Sequence, residues 1–103
     1  MTKAKAKKLM LEYARLVISP TLANKIAQAF GYSLKELNLV PTKVKDFHRM
    51  NYTKETAELK AISVHQLAQA IAEKKNPNIT IQSMMNGMGS MAEDITEKAI
   101  KLI

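Results

Sequence analysis

The stretch over residues 19–41, SPTLANKIAQAFGYSLKELNLVP, constrains the fold most, because its ends and its middle are all punctuated. Ser19 suits an N-cap, since a serine hydroxyl accepts from the free N–H groups of a helix's first turn. Pro20 falls where a missing N–H costs nothing. Leu22, Ile26, Ala29 and Phe30 then recur at helical spacing and give one apolar face. Gly31 follows the last apolar residue, where a left-handed C-cap is wanted. Ser33 is placed to cap a second short helix that carries Leu34, Leu37 and Val40, and Pro41 stops it. The unit reads as helix, tight Gly turn, short helix, a pairing common in the cores of all-α domains.

The rest of the chain reads as further short helices. Residues 2–18 place Ala6, Leu9, Met10, Tyr13 and Val17 on one amphipathic stripe. Lys3, Lys5, Lys7 and Lys8 crowd its first turns, where cations oppose the helix dipole, so residues 1–8 are expected to fray into a basic arm. Thr42 caps a short helix over 43–50 with Val44 and Phe47 inward, and Asn51-Tyr52 reads as a turn. Thr53 opens a long pattern over 54–75, with Ala57, Ala61, Val64, Ala68 and Ile71 on one face. A capping box from Ser63 to Gln66 marks a break near Ile62. Asn76-Pro77-Asn78 ends that helix, because Pro77 lacks a donor and pushes Asn76 out of helical geometry. Ile79-Thr80-Ile81 has strand propensity but no second run to pair with, so a helix over 78–86, closed by Gly87, is preferred. A second capping box, Ser90 to Glu93, opens a last helix with Ile95, Ala99 and Leu102 inward. The expected fold is all-α, one domain over residues 1–103 with about six short helices and a helix-turn-helix-like unit.

Composition bounds the function. At 47% apolar, 103 residues can bury one core. No run approaches the roughly 18 apolar residues that a spanning helix needs. The N-terminus has no signal-peptide apolar region, and cysteine is absent, so neither disulfides nor thiolate metal sites arise. A cytoplasmic protein is the expectation, with no membrane partner. His48 and His65 have no Cys, second His or paired carboxylate beside them in sequence and read as structural. Without a Gly-rich phosphate loop or a paired-His motif, no catalytic residue, metal or cofactor is assigned, and the protein is expected not to be an enzyme.

Charge points to a partner. Residues 1–50 carry ten Lys and Arg against three acids, a net of +7, whereas residues 51–103 balance six against six. A basic half is the footprint expected for a polyanion, usually nucleic acid. Its cations, Lys3, Lys5, Lys7, Lys8, Lys25, Lys35, Lys43, Lys45 and Arg49, are candidate phosphate contacts. With three Tyr, two Phe and no Trp, base-stacking platforms for single strands are disfavoured, which favours duplex DNA.

Two stretches resemble the lambda-repressor-like (Cro/repressor) helix-turn-helix family. Aligned over residues 23–42, Ile26, Ala27, Phe30, Gly31, Tyr32, Leu37 and Val40 occupy the pattern's apolar, small and turn positions. The resemblance implies that residues 33–39 enter the major groove, with Ser33, Lys35 and Asn38 as contacts. Leu34 and Leu39 depart from it, at positions meant to face solvent or bases. If both are buried, residues 33–39 are core and the case moves to the second stretch. That stretch, residues 76–87 followed by 90–102, is similar to the family's reading helix and the next one. Asn78, Thr80, Gln82 and Ser83 are of the type that meets base edges, and Lys74 and Lys75 are placed for phosphates.

Two functions of different class follow. The first is a small basic DNA-binding regulator or accessory factor that contacts duplex DNA through its N-terminal half, as a homodimer. The second is a non-enzymatic helical interaction module that docks on a protein partner through residues 84–91, where Met84, Met85, Met88 and Met91 form a soft apolar group.

Overall fold

The structure, a computed structural model, describes residues 1–43, 51–52, 60–78 and 92–103. Its clearest element is α2 (Pro20–Ala29), bracketed as the sequence suggests. The Ser19 hydroxyl accepts from the Leu22 N–H at 3.2 Å. At the other end Gly31 has φ +88°. The Gly31 N–H donates to the Gln28 carbonyl and the Tyr32 N–H to the Ala27 carbonyl, closing the double hydrogen-bonded stop that left-handed glycine permits.

The first departure lies just upstream. Helix α1 (Lys3–Glu12) does not run on to residue 18, and Leu16–Ile18 form strand β1. The Tyr13 N–H still reaches the Leu9 carbonyl at 2.9 Å, and the Leu16 N–H then bonds to the Tyr13 carbonyl at 2.8 Å, turning the chain. Val17 and Ile18 are β-branched and stiff, and a pleated surface suits them better than a helix. Their backbone groups are satisfied by a distant partner, β4 (Lys60–Ser63), which runs antiparallel with Val17 opposite Ser63 and Ile18 opposite Ile62. Two-residue strands complete the sheet. β2 (Thr42–Lys43) pairs antiparallel with β4, and β3 (Asn51–Tyr52) pairs parallel with β1, giving the order β2-β4-β1-β3.

The all-α expectation is therefore wrong. The described residues hold four helices and a small sheet of three antiparallel strands with a parallel edge. Thr42 and Lys43 begin a strand and not a helix, and Asn51-Tyr52 is a strand and not a turn. Within the helix expected over 54–75, Lys60–Ser63 are committed to the sheet and α3 (Val64–Lys75) starts after them, while residues 54–59 lie outside the described residues. The break near Ile62 is in the expected place, with Ser63 in the N-cap position, but the Ser63 hydroxyl bonds to His65 and not to a backbone N–H. The helix-turn-helix-like unit also fails over residues 33–39, which form one turn. Ser33 and Glu36 cap each other reciprocally, hydroxyl to the Glu36 N–H at 3.1 Å and carboxylate to the Ser33 N–H at 3.2 Å. Asn38, at φ +57°, closes the turn two residues later. Leu37 is buried there, Leu34 and Leu39 are half-buried against the core, and Val40, expected inward, is 80% exposed.

The last helix, α4 (Ala92–Leu102), begins with Glu93 and Asp94 in its first turn and ends near Lys101, the arrangement that suits its dipole. It packs most extensively against α3. The core joins Ala6 and Met10 of α1, Ile18 of β1, Ile26 and Ala27 of α2, Leu67 and Ile71 of α3, and Ile95 and Ala99 of α4. Small side chains are prominent in it. Ala6, Ala23, Ala27, Ala68, Ala72 and Ala99 are all essentially inaccessible, which lets neighbouring helices approach closely. The stop at Asn76 is as expected and does a second job. Its amide donates to the Ala72 carbonyl at 3.2 Å and to the Leu102 carbonyl at 3.3 Å, tying the ends of α3 and α4 together.

Two substitutions test these stops. Gly31→Ala would meet no atom within 4 Å of the added Cβ, so its whole effect is backbone strain at positive φ, about 1 kcal/mol of lost stability in urea unfolding. Asn76→Ala is expected to lose about 1 kcal/mol from its carbonyl bonds. An unchanged urea midpoint for either would show that the stop in question does not hold its helix end.

Candidate nucleic-acid interface

The N-terminal lysines lie on α1 itself, which starts at Lys3 with the Thr2 hydroxyl accepting from the Lys5 N–H at 3.1 Å. Ala6 and Met10 face the core. At about 100° per residue, Lys3 and Lys7 fall on one flank of the remaining surface and Lys5 and Lys8 on the other. Between the flanks lie Ala4 and Leu11, the latter 47% exposed, and Glu12 sits on the Lys5 and Lys8 side. Lys3, Lys5 and Lys8 are exposed and Lys7 is half-buried. An open recess of about 450 Å³ on this face is lined by Ala4, Lys5, Lys8, Leu9 and Glu12.

Lys25 joins this end of the molecule. Met1 borders Lys25, Gln28 and Ala29 of α2 around a second open recess of about 350 Å³. The chain start just before α1 therefore lies beside Lys25 on the outer side of α2. Arg15 does not join them. Its guanidinium holds Glu93 at the start of α4 with two bonds, at 2.8 and 3.3 Å, the one ion pair among the described residues. Lys35 is exposed on the capped turn, and Lys43 is exposed on the edge strand β2.

Other expected DNA-binding residues have structural work to do. Ser33 is occupied by its reciprocal cap with Glu36, and Asn38 serves as the left-handed residue of the turn. Lys74 and Lys75 lie in the last turn of α3, and Lys101 in that of α4, where cations offset the negative helix ends. Asn78 is exposed beyond α3 and borders a recess of about 260 Å³ with Lys75, Asn76 and Pro77. Lys45, Arg49, Thr80, Gln82, Ser83, His48 and the methionines of residues 84–91 lie outside the described residues.

Lys60 was missed by sequence reading. It lies directly opposite Lys43 in the β2–β4 register, and both are exposed. Neither residue's neighbours in sequence signal the other, and only the strand register brings them together.

The Ser63–His65 hydrogen bond, 2.8 Å from Oγ to Nδ1, has the length of a nucleophile–base pair. Ser63 is only 1% exposed, however, so a substrate has no approach to its hydroxyl. Burial pushes the His65 pKa down from its ordinary 6.5, and a cation in the first turn of α3 would also oppose the helix dipole. Among the described residues no three His, Asp or Glu side chains gather as a metal site, and no helix is long and apolar enough to cross a membrane.

The class that emerges is a small α+β protein with a lysine-rich first helix and a short mixed sheet. Comparison with known proteins adds no kinship: no family model matches the chain, and no curated protein or solved structure matches it.

His65 gives the site's pH prediction. With the folded pKa below 6.5, the unfolded chain binds the proton more readily, so stability is full above about pH 6.5 and falls as pH drops from there through the folded pKa. His65→Gln, which stays neutral, is expected to flatten that part of the urea stability profile between about pH 7 and 5. An identical slope in the variant would assign the acid sensitivity to other groups.

Proposed function

We propose that the protein is a small DNA-binding factor that holds duplex DNA through its basic N-terminal half, chiefly by phosphate contacts. The observation that supports this is where the cations sit relative to what folding favours. Lys3 and Lys5 occupy the first turn of α1, which holds no acid, and there each opposes the helix dipole by about 0.3–1 kcal/mol. None of the four lysines of α1 forms an ion pair with another described residue. Their two flanks, with a narrow strip of Ala4 and Leu11 between, suit a helix lying against a duplex with phosphates on either side. Lys25 extends the same surface through the recess beside Met1. Pairing of two protomers belongs to the same proposal, because two linked half-sites multiply affinity.

Binding of the full chain to a random-sequence duplex of about 30 base pairs, followed by anisotropy across a salt series, tests this. Log affinity is expected to fall linearly with log salt, with a slope of about −0.9 per phosphate contact. The variant with Lys3, Lys5, Lys7 and Lys8 all changed to Ala should lose about two to four units of that slope. Absence of binding at low salt would remove the proposal, and a slope unchanged in the variant would move the interface away from α1.

A further inference from the structure

Building on the phosphate-binding reading above, we infer that Lys43 and Lys60 form a two-lysine site for a phosphate group at the edge of the sheet. β2 stands at one end of the strand order, and its antiparallel pairing with β4 puts Lys43 directly opposite Lys60. Directly opposite side chains in such a pair stand on the same face with Cβ atoms about 4.5–5.5 Å apart. The adjacent pair in register, Thr42 with Ala61, alternates to the other face, so Lys43 and Lys60 share the face of Ile62 and stand exposed at its rim, where β4 begins. Both lysines are exposed, and neither forms an ion pair with another described residue.

Among the described residues nothing offsets the repulsion within this pair. Like charges directly opposite each other weaken strand pairing. A lysine on an edge strand does deter pairing with other chains, which accounts for Lys43 on β2. At its own position Lys60 pairs with β2 alone, since the β1 pairing covers only Ile62 and Ser63, so the same deterrent serves there, but it does not call for the two lysines to face each other. A phosphate resolves the conflict. Each ammonium has three donors, and two charge-assisted bonds of about 2.8 Å to oxygens of one phosphate span a gap on the order of the Cβ spacing. The repulsion between the strands then becomes a bridge across them. The phosphate is either a phosphodiester of the bound duplex or free inorganic phosphate.

The test uses the full-length chain as wild type, Lys60→Glu, Lys60→Arg and Lys43→Ala. Lys60→Glu sets opposite charges across the strands, so the Tm of the free protein should rise while its affinity for the same duplex falls. Opposite signs separate the effect from a folding defect, which would lower both. The factor by which salt weakens binding between about 50 and 200 mM should shrink roughly threefold for each phosphate that the variant no longer holds. Lys43→Ala should show the same weakening of binding from the other strand, and Lys60→Arg should keep wild-type affinity. A weakening confined to one strand, or a salt dependence unchanged in Lys60→Glu while wild type binds, overturns the site and leaves the DNA reading on α1. If wild type binds no duplex, the DNA reading fails and melting in phosphate against chloride at equal ionic strength decides the site. A Tm raised by phosphate in wild type and not in Lys60→Glu supports a free-phosphate site, and equal Tm values overturn it.

Discussion

The pairing of β1 with β4 is the interaction on which the rest depends. It joins Val17 to Ser63 and Ile18 to Ile62, residues distant in sequence, and each strand leads straight into a helix with serine in the N-cap position. Ser19 starts α2 and Ser63 starts α3, so the register of a few residues fixes where both helices leave the sheet. Because side chains alternate across a strand, Ile18 and Ile62 share the face that meets the helical core. A slip of one residue would turn both away from Leu67, Ile71 and Ile26. Closing a loop of roughly 40 residues costs entropy before the pair forms, so the helices and the sheet must stabilise each other.

Helices and strands differed in how far they could be read from the chain. Where an element is bounded by its own chemistry, the reading succeeds: Ser19, Pro20 and Gly31 bracket α2, Asn76 stops α3, and Ile95 and Ala99 face inward on α4. Those signals act within a turn or two of the backbone. The strands have no such signals. Leu16–Ile18 and the apolar part of Lys60–Ser63 are too short to separate a period of two from one of about 3.6, and each adjoins a helical pattern that absorbs it. Their identity rests on a partner found only in three dimensions. The turn over residues 33–39 failed differently. Ser33 as a cap with Leu34, Leu37 and Val40 read as a helix, yet Asn38 takes the left-handed conformation and ends it after one turn.

The candidate site was legible as an amount of charge and not as an arrangement. The excess of positive charge in residues 1–50, Arg15 included, is plain in the chain, but sequence treats Ser33 and Lys25 alike as polar and available. Folding divides them. Arg15 is neutralised by Glu93, 78 positions away, Ser33 is used by its own turn, and Lys25 is brought beside Met1. The juxtaposition of Lys43 and Lys60 depends on register, which no local pattern encodes.

Sorting the cations by what folding asks of them is more informative than counting them. Lys74, Lys75 and Lys101 sit at helix C-termini, where the dipole favours them, and Arg15 is paired, so stability accounts for all four. Lys3 and Lys5 at a helix N-terminus, and Lys43 facing Lys60, work against the elements that carry them. Each such placement opposes folding by a few tenths of a kcal/mol to about 1 kcal/mol, in a class of molecule whose total stability is about 5–15 kcal/mol. Charges of that second kind favour the approach of an anion, since the same field that repels a neighbouring lysine attracts a phosphate. Among the described residues, then, the cations that stability does not account for are those of α1 and of the β2–β4 pair, and the proposed polyanion contacts are drawn from these.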